Sequence, residues 1–163
     1  MLRFVFCLLL CSSTSFAASN PPKVEFKAIT AEPLSKNSLT FVDLKGKVVI
    51  VDFWASWCEP CKEALPHYNK LYEKYKNQGV VFIGINEDDD LKERDAFLKA
   101  HPISFPVFFD KEKQMAKDFQ VVALPTLFVF DKKLKPVILY RGFDDKKPQV
   151  LEKGIQDLLK AQK

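Results

Sequence analysis

Two cysteines stand three residues apart in the segment Trp57-Cys58-Glu59-Pro60-Cys61. If a helix begins there, about one turn separates them, close enough for the two sulfurs to bond reversibly. That spacing suits thiol–disulfide exchange. Cys58 falls where a β-branched strand gives way to a helical pattern. The N–H groups at a helix start lack partners and the helix dipole there favours negative charge, so Cys58 is the expected thiolate and nucleophile. It would attack a disulfide to give a mixed disulfide, which Cys61 then resolves. Cys61 must lose a proton in that step. Asp52, at the end of the preceding strand, is the expected acceptor, because burial raises the proton affinity of a carboxylate. Pro60 suits a first helical turn and stiffens the loop. Trp57 and Trp54 are expected to shield the pair and to offer an apolar docking surface. Glu59 sets a carboxylate beside Cys58. That disfavours the thiolate and predicts a reducing pair.

Nothing else in the chain competes with this pair. The sequence has 163 residues and four cysteines. Cys7 and Cys11 sit in an N-terminal stretch that reads as an export signal: Arg3, an apolar run from Phe4 to Cys11, then Ser12 to Ser15 and the small residue Ala17. The predicted division is a signal over 1–17, cleaved after Ala17, and one domain over 18–163. The apolar run is short of the roughly 20 residues that a spanning helix needs. An uncleaved anchor and a lipid-modified Cys11 are the alternatives, and either would tether the protein to a membrane. After cleavage Cys58 and Cys61 are the remaining cysteines, too few for the multi-bridge framework of a small secreted scaffold. The two histidines, His67 and His101, add too few ligands for a zinc site, so neither metal nor cofactor is expected. The net charge of +4 is dispersed among acids, which opposes nucleic-acid binding. The composition, 47% hydrophobic and 28% charged, is that of one globular domain, expected to be a monomer. Fifteen phenylalanines predict an aromatic core.

The elements that must position the pair follow from periodicity. Val24–Ile29 alternates and predicts an edge strand, and 38–44 a second extended stretch. Val48–Phe53 is a nearly unbroken apolar run, the pattern of a strand buried on both faces. A helix is predicted from Cys58 to Asn77, bent at Pro66. Val80–Ile85 is a second buried strand. Asp90 has capping spacing to Glu93 for a helix whose apolar side carries Leu91, Phe97 and Leu98. Extended chain is expected at 105–109, a short helix at 113–119, and a hairpin from Thr126–Phe130 to Val137–Tyr140. Pro148 opens a last helix with a stripe of Val150, Leu151, Ile155, Leu158 and Leu159. Parallel crossovers first and a hairpin last imply an α/β fold, a mixed sheet with helices on both faces.

The stretch from Asp43-Leu44-Lys45-Gly46-Lys47 through Val48–Phe53 to Trp54-Ala55-Ser56-Trp57-Cys58-Glu59-Pro60-Cys61-Lys62 resembles the thioredoxin-like TlpA/ResA family of exported oxidoreductases. Pro66, five residues after Cys61, fits it. So does Ala123-Leu124-Pro125-Thr126, which is similar to the family's cis-proline loop. The resemblance implies a thioredoxin-like fold with an N-terminal β extension and an αβ insertion over about 86–118. It implies a cis Leu124–Pro125 bond, Pro125 beside the dithiol, and a Leu124 backbone that pairs with an extended substrate segment. Counting back from Phe105-Pro106-Val107 puts Asp89 at the family's acidic position, with Glu87 and Asp88 as neighbours that could serve instead. Asp52 follows thioredoxins, where many ResA-like members have Asn. The implied clients are disulfide-containing proteins, apocytochrome c among them. The implied electron donor is a transmembrane protein, and the compartment is the periplasm or cell envelope. General or oxidative disulfide exchange is the nearest alternative. A metallochaperone on the same fold is the alternative of another class, though such copper proteins usually space their cysteines by three residues and add a distant His. A peroxidase would normally lack a second cysteine so close.

Overall fold

The structure, a computed structural model, describes residues 23–34 and 39–161. The predicted signal, with Cys7 and Cys11, and Ser38 lie outside the described residues. Six strands form one mixed sheet in the order β1-β4-β3-β2-β5-β6. They are β1 (Glu32–Pro33), β2 (Val48–Trp54), β3 (Val80–Asn86), β4 (Val107–Phe109), β5 (Thr126–Phe130) and β6 (Pro136–Arg141). The helices are α1 (Glu59–Tyr75), α2 (Leu91–Ala100), α3 (Gln114–Asp118) and α4 (Lys147–Lys160). β2 lies parallel to β3 and antiparallel to β5. Both of its edges are paired and both of its faces covered, which is why Val48–Trp54 has no polar alternation except Asp52.

Side-chain parity along β2 divides the core. Val48, Ile50 and Trp54 pack with Cys58, Cys61, Leu65 and Tyr68, and with residues of α2 and α4. Val49, Val51 and Phe53 face the opposite layer, with Met115 of α3 and the rings of Phe26, Phe119, Phe128 and Phe130. Phe119 stands 5.2 Å from both Phe53 and Phe128, edge-on to the latter, and among the described residues this side holds six of the ten buried phenylalanines.

Three expectations fail: a strand at Val24–Ile29, extended chain before Lys45, and buried places for Leu91 and Val150. Val24–Ile29 forms no strand: Val24 and Phe26 are buried, but as single anchors in the aromatic layer, without ladder bonds. The N-terminal β extension is the two-residue β1, antiparallel to β4. Phe41–Leu44 is a 3-10 turn rather than extended chain, because the Thr40 N–H and hydroxyl both donate to the Asp43 carboxylate at 2.7 Å and close it. Leu91 and Val150 are exposed, lying off the stripes that Phe97 and Leu151–Ile155 bury on α2 and α4. The remaining predicted elements stand within about two residues of their expected bounds, a scatter ordinary for helix and strand ends. α1 runs on through Pro66. The Asp90 carboxylate caps α2 through the Lys92 and Glu93 N–H groups.

Candidate active site

Cys58 and Cys61 are joined by a disulfide, Cα to Cα 5.3 Å. Cys58 occupies the cap position of α1, and its carbonyl accepts the N–H groups of Cys61 and Lys62 at 3.1 and 3.2 Å. The Cys58 N–H donates to the Ala55 carbonyl at 3.2 Å, so the loop Ala55–Trp57 is a tight turn between β2 and α1. Both cysteines are buried, Cys61 wholly. Pro60 sits in the first turn of α1, where its missing N–H removes a donor that would have had no partner.

Asp52 lies on the face of β2 that carries Ile50 and Trp54, and the dithiol lies over that same face. It is 1% exposed, and neither carboxylate oxygen has a hydrogen-bond partner. Burial holds its carboxyl well above the usual range. Tyr68, from α1 on the same face, has its phenol raised by burial and next by the Asp52 charge.

The end of β3 supplies a second acidic group. The Glu87 N–H donates to the Trp54 carbonyl at 2.8 Å, so the segment after β3 runs beside the dithiol loop. Asp88 is 1% exposed. Its oxygens accept the Ser56 N–H at 2.9 and 3.1 Å, the Ser56 hydroxyl at 2.6 Å and the Asn86 side-chain amide at 2.6 Å. Glu87 is also buried, with Oε1 unpartnered and Oε2 3.9 Å from Lys113 Nζ. Its pKa is pushed up to about 8, first by burial and then by the Asp110 charge, against the pull of Lys113. Lys113 ties the segment down by donating to the Glu87 and Asp88 carbonyls at 2.6 and 3.1 Å.

Several predicted residues stand elsewhere than expected. The Asp89 side chain is 92% exposed and pairs with Lys113 at 3.2 Å, so it is a surface carboxylate, and Glu87 holds the buried position beside it. Trp54 has no exposed surface and offers nothing to a docking client; its indole fills the space that Gly84 leaves open, where a Cβ would meet Nε1 at 3.1 Å. Trp57 is 61% exposed. It borders a groove of about 430 Å³ with Ser56, Lys62, Ala96, Phe97 and His101. Glu59 points to solvent and pairs with Lys62 at 2.8 Å, so its charge is offset and screened rather than held on Cys58. The Leu124–Pro125 bond is cis. Thr126 pairs with Phe53 in the antiparallel register, which puts Pro125 alongside Trp54 at the entry to the dithiol loop. Leu124 is half-buried in front of it. Ser56 and Asn86 carried no signal in the sequence, because their partner lies 32 residues from one and two from the other, outside any periodic pattern.

Among the described residues no three His, Cys, Asp or Glu side chains are grouped to hold a metal ion, and no helix is long and apolar enough to cross a membrane.

The model of the AhpC/TSA family matches residues 22–136. The chain is 31% identical over 151 residues to the thiol-disulfide oxidoreductase ResA of Bacillus thuringiensis subsp. konkukian, with 87% of each chain covered. It is 32% identical over 146 residues to a ResA of Bacillus cereus, with 84% of each covered. Among solved structures it is similar to a Chlorobium tepidum protein designated thiol:disulfide interchange protein DsbE. The TM-score there is 0.77 at 29% identity, over 88% of this chain and 99% of that one.

Proposed function

The chain belongs to the AhpC/TSA family and, within it, to the ResA-type thiol–disulfide oxidoreductases, and on that footing we propose that it is an exported reductant of protein disulfides. The observation that carries the direction is the charge around the pair. Asp88, buried just past β3 and accepting hydrogen bonds from Ser56 and Asn86, sets a fixed anion against the loop that carries Cys58. Negative surroundings disfavour a thiolate and therefore favour the disulfide, which makes the dithiol form a donor of electrons.

In the reducing cycle the Cys58 thiolate attacks one sulfur of a client disulfide and expels the other as a thiolate. Cys61 then attacks Cys58, its proton passing to Asp52, and the client leaves with both sulfurs reduced. Two electrons have moved from the dithiol to the client. A donor dithiol recharges the pair: one donor thiolate attacks Cys58 and expels Cys61, the Asp52 carboxyl returns the proton to the Cys61 sulfur, and the donor's second thiol displaces Cys58 as a thiolate, leaving the donor as a disulfide. An acid with a raised pKa suits both directions, since it can hold the proton in one half of the cycle and return it in the other. Glu87 is the second candidate acid, reached through the segment bonded to Trp54. The cis-Pro125 loop presents the Leu124 backbone to the client. Apocytochrome c is the proposed client, and the electron donor is a transmembrane protein of the cell envelope.

Trapping tests this. Cys61→Ser should accumulate mixed disulfides on Cys58, and cytochrome c precursors in that pool are the expected result. A broad protein mixture would favour general disulfide exchange. A Cys58–Cys61 potential as high as about −120 mV, that of a strong periplasmic oxidant, would overturn the direction.

A further inference from the structure

Asp88 takes no part in the proton transfers above, yet it is bonded directly to the loop that delivers Cys58. Its four accepted bonds come from the backbone and hydroxyl of Ser56 and from Asn86, a donor set that suits an anion. Ser56 is itself buried and lies two residues before Cys58. Asn86 is fixed by its place at the end of β3, paired with Trp54. Lys113 bonds the Asp88 carbonyl and pairs with the side chains of Glu87 and Asp89, so the charge of the Asp88 side chain is met by dipoles. Lys62 and Glu59 offset each other at the surface. A charge with weak compensation and little water around it acts over several ångströms.

We propose that Asp88 is a positioning residue that clamps the Ala55–Trp57 loop and holds a negative charge beside it, thereby shifting the Cys58–Cys61 pair toward the disulfide. The clamp fixes where α1 begins. The charge opposes the thiolate that forms when the disulfide takes up two electrons and one proton, leaving Cys58 as the anion and Cys61 as the thiol. The inference rests on the thiol–disulfide activity. It is read as a difference between variant and parent, whereas the reductase direction is read from the parent's own potential, so the two fail separately.

A purely structural clamp and a charged one differ in sign. Asp88→Asn keeps the shape and removes the charge. In equilibrium with reduced and oxidised glutathione, the disulfide should become about tenfold less favoured, about 30 mV for this two-electron couple. The Cys58 thiol should titrate at lower pH. Ser56→Ala removes the hydroxyl that compensates the carboxylate and should shift the equilibrium the other way, by about threefold. Asp88→Asn within twofold of the parent, or both variants moving in the same direction, would overturn the proposal. If Asp88→Asn does not fold, Ser56→Ala decides alone: a shift toward the disulfide supports the charge, and no shift or the reverse overturns it.

Discussion

Two buried carboxyl groups flank the dithiol loop, and they differ in almost every respect but burial. Asp52, inside β2, has two oxygens and no partner. Asp88, just past β3, accepts four hydrogen bonds. An unpartnered buried carboxyl is costly as an anion, so it holds a proton and can trade it. A fully bonded one is a fixed structural charge. With Asp52 on β2 and Asp88 just past the neighbouring parallel β3, the roles proposed above would divide two tasks, proton transfer on the β2 side and geometry and field on the β3 side.

The largest expected effect lies on the β2 side. Asp52→Asn should slow client reduction at neutral pH by roughly 100-fold, as loss of a general base does, with mixed disulfide accumulating in stopped-flow traces. The parent rate should climb as pH rises through the raised Asp52 pKa, and that rise should vanish in the variant. An unchanged rate would move the base to Glu87. Stability should then separate the two groups by sign. Asp52→Leu removes an unsatisfied polar group and should stabilise the fold by about 1–2 kcal/mol in urea unfolding. Asp88→Ala strands the Ser56 and Asn86 donors and should cost about 3 kcal/mol. Shifts of the same sign would erase the contrast.

The contrast was only half legible in the sequence. Cys58, Cys61, Asp52 and the helix start at Pro60 are local signals, set by spacing within ten residues. The burial of Trp54 was also readable, since the parity that turns Ile50 and Asp52 inward turns Trp54 with them. Glu87, Asp88, Asp89 and Asp90 are four successive acids, and nothing in composition tells them apart. Their fates diverge because β3 ends at Asn86 and the chain then turns: Glu87 and Asp88 fall inward, Asp89 meets solvent, and Asp90 caps α2. The Ser56–Asp88 bond spans 32 residues and rests on strand register. The Val24–Ile29 alternation misled for the converse reason: periodicity reports which side chains turn inward, not whether a neighbouring strand is there to pair.

Glu87 stands between the two types, half bonded and shifted to about 8. Its folded pKa lies above the ordinary value of 4.5, so the folded state binds this proton more tightly than the unfolded chain does. The stability it contributes is complete below pH 4.5 and is lost as pH rises through 8. The parent's thermal midpoint should therefore fall across that window, and Glu87→Gln should flatten the fall. If the slope survives in the variant, Glu87 belongs with Asp88 as a fixed charge rather than with Asp52.

The smallest effect should come from outside both groups. Trp57 is exposed, so its ring adds little to the core, and Trp57→Ala should leave stability within about 0.5 kcal/mol. The ring is continuous with the groove that Ala96, Phe97 and His101 line beside the dithiol loop. An apolar client segment lying there would lose contact area but no proton path. The variant should raise KM for a protein disulfide severalfold and leave kcat nearly unchanged, while reduction of a small disulfide with no flanking peptide is unaffected. The reverse pattern, a lower kcat at constant KM, would mean that the ring acts on the cysteines themselves. Proton transfer and field could then no longer be assigned to the two carboxylates alone.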